Sequence, residues 1–128
     1  MGVEDQFSYA MDDGVGIITL NRPERMNAVN WDLCAAISAK LRELRTDDDA
    51  RVLVLTGAGG NFSSGGDAEF LSGNDAGRPI PGLTDTPLER YQRKTPAGAF
   101  AELTKWIIEV DKPVIAAGEG VCMGAGLA

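Results

Sequence analysis

Two apolar runs of strand length, Arg51-Val52-Leu53-Val54-Leu55-Thr56 and Lys112-Pro113-Val114-Ile115-Ala116-Ala117, are each followed at once by a glycine-rich stretch. This pairing constrains the fold more than any other feature. A nearly continuous apolar run suits a strand buried on both faces, as in a parallel sheet, and Pro113 stands at or near the start of its run, where no ladder donor is required. Five glycines fall within the ten residues from Gly57 to Gly66, and others stand at Gly118, Gly120, Gly124 and Gly126. Turns of this kind put bare backbone N–H groups at the carboxyl ends of parallel strands, where ligands bind in open α/β sheets.

The rest of the chain supplies the connections. Phe7 to Ala10 and Val15 to Leu20 read as strands joined through Met11-Asp12-Asp13-Gly14, whose Asp-Gly pair is a hairpin signal. After a polar, Pro-punctuated segment from Asn21 to Ala28, a helix is expected with Asn30 as N-cap and Asp32 in its first turn. Leu33, Ile37, Leu41 and Leu44 form its buried stripe, and Thr46-Asp47-Asp48-Asp49 ends it. Asp67 to Leu71 reads as a short helix. Ser72 to Pro87 has no periodicity and reads as a long loop or lid. Helix resumes from Leu88, breaks at Pro96, and returns with Phe100, Leu103, Ile107 and Val110 on one face. The alternation predicts an α/β protein with parallel strands, without an internal repeat.

Composition removes several chemistries. The chain has 128 residues and no His, so it holds one domain at most, and imidazole-based nucleophile activation and zinc ligation are unavailable. Acid–base work falls to carboxylates, Lys, Tyr or thiols. A net charge of -7 argues against nucleic acid as a partner, because counterion release needs clustered Lys and Arg. Cys34 and Cys122 lie far apart and outside any CxxC spacing, which predicts two buried thiols in a reducing compartment and no metal site. No apolar run approaches the roughly 18 residues of a membrane span. With no basic residue before Arg22, the start lacks the charged region of a signal or transit peptide. A soluble cytoplasmic protein is expected.

The two glycine-rich turns admit three readings. Their N–H groups could converge on a developing oxyanion. They could cradle a nucleotide, although Gly57-x-Gly59-Gly60 and Gly118-x-Gly120 lack the GxGxxG spacing and neither carries the GK[ST] of a P-loop. Or they are tight turns that need glycine only for backbone freedom.

The order Ile17-Ile18-Thr19-Leu20-Asn21-Arg22-Pro23, Asn27-Ala28, Val52-Leu53-Val54-Leu55-Thr56-Gly57, Phe62-Ser63-Ser64-Gly65-Gly66-Asp67, Lys112 to Ala117, and Gly124-Ala125-Gly126 resembles the enoyl-CoA hydratase/isomerase (crotonase) family over about residues 6 to 128. The resemblance implies a crotonase-like spiral of ββα units and a coenzyme A thioester as substrate, with no separate cofactor and no metal. It also implies lyase or isomerase chemistry of fatty acid metabolism. By the same resemblance the oxyanion-hole N–H groups fall on Gly66 and Ala125. The backbone around Ser64, Gly66 and Ala68 would lie against the adenine and pantetheine of CoA, beside Asp67. Arg22 and Arg25 would face its phosphates, or else be ordinary exposed cations. The Asp67 carboxylate itself reads as a helix N-cap rather than a catalyst.

The pattern also breaks in places. Family hydratases carry two catalytic glutamates; the first aligns with Ala128, which has no titratable group, and the second lies beyond the last residue. Two carboxylates are needed to manage the proton on each side of a water addition, so hydration by the usual pair is in question, whereas isomerisation, decarboxylation, dehalogenation or thioester hydrolysis places the acid or base elsewhere. Asp67, Glu69 and Glu119 are the carboxylates nearest the turns, and none stands out as a base. Gly118 occupies a place where the family usually has a larger apolar residue, which would loosen that strand end. The chain stops within the first turn of an expected helix. This implies the N-terminal part, residues 1–128, of a longer acyl-CoA-binding core, cut at its C-terminal end and inactive alone. Strand 113–117 and helix 100–110 would then expose apolar surface, and the resemblance implies that the whole protein is a trimer or a dimer of trimers. The leading reading is an acyl-CoA enzyme that stabilises a thioester enolate. The alternatives are a non-catalytic acyl-CoA-binding module and, from a third class, a nucleotide-binding domain.

Overall fold

The computed structural model of the chain describes residues 5–75, 78, 86–95 and 98–127. Strands β1 (Phe7–Asp12) and β2 (Val15–Leu20) form the expected hairpin. Asp13 and Gly14, with φ 46° and 81°, make a two-residue turn between them, and two successive left-handed residues give the twist that matches paired strands. Helix α1 (Trp31–Leu44) follows, and the Asn30 side chain caps it by accepting from the Leu33 N–H at 2.8 Å. The stripe Leu33, Ile37, Leu41, Leu44 is buried. Strand β3 (Val52–Gly57) then returns parallel to β2, with Gly16 opposite Leu53, and β4 (Val114–Ala117) lies parallel to β3. The sheet order is β1-β2-β3-β4, a hairpin extended in chain order by two parallel strands.

Between β3 and β4 lie α2 (Ala68–Ser72), α3 (Pro87–Lys94) and α4 (Gly98–Glu109). Helix α4 packs on α1, and its Leu103, with Val110 just beyond it, joins Ile18, Leu53 and Ile37 in one core. Phe100 and Ile107 are partly buried against that core, so the four-residue face read from the sequence is the packed face. The expected loop or lid from Ser72 to Pro87 falls mostly outside the described residues, as does the break at Pro96. Its two ends are helical, with Ser72 closing α2 and Pro87 opening α3.

Two expectations need correction. Both apolar strands were expected to be buried on two faces, yet in β3 only Leu53 is buried, and β4 is an edge with Ile115 54% exposed. The described helices pack on the face that carries Ile18 and Leu53, while Ile17, Val54 and Thr56 on the other face are only half-buried. The apolar exposure expected of strand 113–117 and helix 100–110 is therefore present, extending to Ile108 on α4 at 81%. The second correction concerns the thiols: Cys34 is buried, but Cys122 is only half-buried. Gly118 has open space where a side chain would point. Among the described residues no helix is long and apolar enough to cross a membrane, and no group of three or more His, Cys, Asp or Glu side chains could hold a metal.

Burial pushes the Cys34 thiol up to about 12, helped by the nearby negative charge of Asp67. A thiol that ionises near its ordinary value when unfolded but resists ionisation when folded stabilises the fold below about pH 9, and that contribution is lost as pH rises toward 12. Burial and the charges of Asp47 and Glu43 also raise Tyr9, and this effect is common to wild type and a Cys34→Ala variant. Urea unfolding of the two between pH 8 and 10.5 should therefore show a steeper alkaline loss in wild type. Parallel pH profiles would contradict the assignment.

Candidate active site

The first glycine-rich stretch leaves β3 through a short 3₁₀ turn, Ala58–Gly60, and runs on through Phe62 and Ser63 to Gly66 and α2. The second leaves β4 and runs alongside it. Phe62 N–H donates to the Glu119 carbonyl at 2.8 Å, Val121 N–H donates to Asn61 Oδ1 at 2.9 Å, and Ser63 pairs with Cys122 as a parallel bridge. The two turns expected from sequence to share a ligand are thus zipped together, and they stay in contact to their ends. Gly65 has φ 100°, and a Cβ there would stand 3.3 Å from Ala125 N. At Gly126 a Cβ would come within 2.5 Å of the Ser63 carbonyl oxygen. Gly126 admits no side chain without separating the turns, and at Gly65 a side chain would be strained by the positive φ and tightly packed.

Peptide geometry fixes where the free donors point. Val29 N–H donates to the Gly65 carbonyl at 2.7 Å and Asp67 N–H donates to the Val29 carbonyl at 3.0 Å. Because the trans peptide is planar, anchoring the Gly65 carbonyl on Val29 turns the Gly66 N–H of the same unit the opposite way. Among the described residues it has no acceptor. Ala125 lies in the 3₁₀ turn Gly124–Gly126, where Gly126 N–H returns to Met123 and Leu127 N–H to Gly124. First-turn N–H groups have no partner within their own helix, and Ala125 N–H has none among the described residues. Ala125 and Gly126 also line an apolar cavity of about 230 Å³, together with Phe62, Phe100, Leu103 and Val114.

The other named residues gather on one side. The segment Arg22 to Ala28 packs against Ser64–Ala68: Ser64 N–H donates to the Met26 carbonyl at 2.9 Å, and Ser64 Oγ reaches the Arg25 carbonyl at 3.4 Å. Arg25 is exposed, as is Ala68 in the first turn of α2. Asp67 is the N-cap read from sequence, accepting from Phe70 N–H at 2.8 Å. Arg22 turns inward rather than standing as an ordinary exposed cation. Its Nη1 donates to the Ala28 carbonyl and lies 3.2 Å from Asp67 Oδ2, leaving the two side chains 12% and 16% exposed. Of the carboxylates near the turns, Glu69 and Glu119 are exposed.

Sequence reasoning missed the residue that ties these parts together. Asn27 is fully buried: its Oδ1 accepts from Arg22 N–H, its Nδ2 donates to the Ala58 and Asn61 carbonyls at 2.8 and 2.7 Å, and its carbonyl accepts from Ser63 Oγ. It adopts φ 53°, a left-handed conformation that Asn tolerates better than most residues. A lone Asn-Ala pair in a polar segment was the only available signal.

A mixed α/β chain with two backbone-lined turns at the ends of parallel strands has the architecture of the crotonase fold. Residues 15–128 match the family described as enoyl-CoA hydratase/isomerase, and the chain belongs to that family. It is 36% identical over 116 residues to the 1,2-epoxyphenylacetyl-CoA isomerase of Escherichia coli strain K12, covering 91% of this chain and 40% of that protein. It is 32% identical over 122 residues to the small ribosomal subunit protein mS47 of Schizosaccharomyces pombe, covering 95% and 26%. Among solved structures, an enoyl-CoA hydratase/isomerase from Marinobacter aquaeolei superposes with a TM-score of 0.72 at 33% identity, covering 94% of this chain and 44% of that one. The chain thus spans less than half the length of these relatives.

Replacing Asn27 by Ala leaves the Arg22 N–H and the Ala58 and Asn61 carbonyls without their partner, at about 1–3 kcal/mol for each group that stays buried. Urea unfolding should show a loss of more than about 2 kcal/mol. Asn27→Asp should lose more, because it turns an acceptor toward two carbonyl oxygens. A change below about 0.5 kcal/mol in both would contradict this role.

Proposed function

We propose that the chain forms part of an acyl-CoA enzyme in which the Gly66 and Ala125 N–H groups bind the thioester carbonyl and stabilise the enolate formed from it. The observation that carries this reading is the pair of N–H groups without acceptors among the described residues, on two turns held in contact beside an apolar cavity. A carbonyl gaining enolate charge needs donors already in place, since they act at the moment of reaction without reorganising. The acyl chain enters the cavity behind Ala125. The CoA moiety lies along Ser64, Gly66, Asp67 and Ala68, with Arg25 and the remaining guanidinium donors of Arg22 toward its phosphates.

The reaction class follows from what the donors can and cannot do. They stabilise negative charge on oxygen but move no proton, so a separate acid–base group is required. Asp67 is committed to its cap and to Arg22, and Ala128 has no titratable group, so hydration or isomerisation of an enoyl-CoA draws its carboxylate from another part of the whole protein. Isomerisation is compatible with the name of the Escherichia coli relative. A cytoplasmic location, a trimeric assembly, and residues 1–128 as the N-terminal part of the acyl-CoA core belong to the same proposal.

The alternative, a non-catalytic acyl-CoA-binding module, rests on Ala128 at the usual glutamate position and on likeness to a relative named as a ribosomal subunit protein. It predicts CoA-ester binding by calorimetry without turnover. The enzyme reading predicts that Gly66→Pro, which deletes one donor, lowers enoyl-CoA turnover by the full-length protein about 10²–10³-fold. Unchanged turnover in a folded variant would overturn it.

A further inference from the structure

We propose that Arg22 and Asp67 act as a positioning pair that fixes the direction of the Gly66 N–H, an inference that rests on the oxyanion-hole reading above. Gly65 and Gly66 have no side chains, so this part of the turn cannot hold itself by packing; its orientation must come from neighbours. Two attachments to one segment flank Gly66 itself. At the backbone, Val29 holds the Gly65 carbonyl and the Asp67 N–H at 2.7 and 3.0 Å. At the side chain, Asp67 Oδ2 meets Arg22 Nη1 at 3.2 Å, and the same Nη1 donates to the Ala28 carbonyl.

The carboxylate is divided between two tasks. Oδ1 caps α2 through the Phe70 N–H at 2.8 Å, while Oδ2 faces Arg22. Asp67 therefore couples the helix immediately after Gly66 to the Arg22–Val29 segment immediately beside it. Exposed ion pairs contribute little because water and salt screen them. This pair is mostly shielded, at 12% and 16% side-chain exposure, and removing one partner leaves the other charge poorly solvated. Without the pair, the Val29 bonds and the Ser63 and Ser64 bonds upstream of Gly65 remain, but no side-chain tie to that segment stands after Gly66, and rotation of the Gly66 peptide would carry its N–H away from the substrate carbonyl. Donors in such a site act through preorganisation, so a loss of alignment weakens them even when they are still present.

This role differs measurably from phosphate binding. A phosphate contact changes affinity for every CoA ester, whereas a positioning residue changes how strongly the bound carbonyl is polarised. The test uses the full-length protein and butanoyl-CoA labelled with ¹³C at its carbonyl, a saturated ester that enoyl chemistry cannot turn over. Arg22→Met and Asp67→Asn should each reduce the downfield shift of the bound carbonyl at least twofold. The double variant should be no worse than either single one, and Arg22→Lys should fall between. Asp67→Asn retains an oxygen to cap α2, so it separates loss of the pair from loss of the cap; with Arg22→Lys it carries the test if Arg22→Met does not fold. Arg25→Met should weaken affinity and leave the carbonyl shift in place.

Loss of affinity in Arg22→Met with an unchanged carbonyl shift would make Arg22 a phosphate contact and overturn the pairing. If the wild type itself shows no downfield shift, the oxyanion-hole reading fails, and the pairing is decided in the ligand-free protein. There Arg22→Met and Asp67→Asn should both lower the backbone order parameter of the Gly66 amide, and an unchanged value would overturn it.

Discussion

The hydrogen bond from Val29 N–H to the Gly65 carbonyl sets which way the Gly66 N–H faces. A planar peptide has its carbonyl and its N–H on opposite sides, so holding one end at 2.7 Å aims the other. Val29 is itself buried just ahead of α1, whose apolar stripe anchors it to the core. Because that peptide unit precedes Gly66, which has no side chain, the fold must provide by external bonds the rigidity that packing supplies elsewhere.

Asn27 provides the next level of constraint. It joins the start of the Arg22 segment to the 3₁₀ turn after β3 and to Ser63, and Ser63 is bridged to Cys122 in the second turn. A buried amide is well suited to this, having an acceptor and two donors in one plane. Both glycine-rich turns are therefore registered against one residue, directly for the first and through Ser63 and Asn61 for the second. The bare position Gly126 then permits contact between the turns that a Cβ would prevent, and Gly65 supplies the positive φ and the close approach beside it.

The hairpin, the stripe on α1, the cap at Asn30 and the cap at Asp67 were all legible, because each depends on residues a few positions apart. The positions of the two turns at the ends of parallel strands were legible for the same reason, and the order of motifs placed Gly66 and Ala125 within them. What could not be read was set by distant partners. The inward turn of Arg22 depends on a carboxylate 45 residues away, and Asn27 reaches 34 residues to Asn61. Strand β4 looked like a buried strand because Val114-Ile115-Ala116-Ala117 is apolar. Its exposure depends on which elements stand beside it, which local composition does not encode.

The proposed function requires two main-chain donors from separate turns to act together on one acyl carbonyl. The most direct measurement is an amide NMR titration of ¹⁵N-labelled full-length protein with a saturated acyl-CoA, and with free CoA as the comparison. The account predicts that the Gly66 and Ala125 amide protons both move downfield with the same half-saturation for the thioester, and move little with free CoA. Equal responses to both ligands, or no response at either amide, would contradict it.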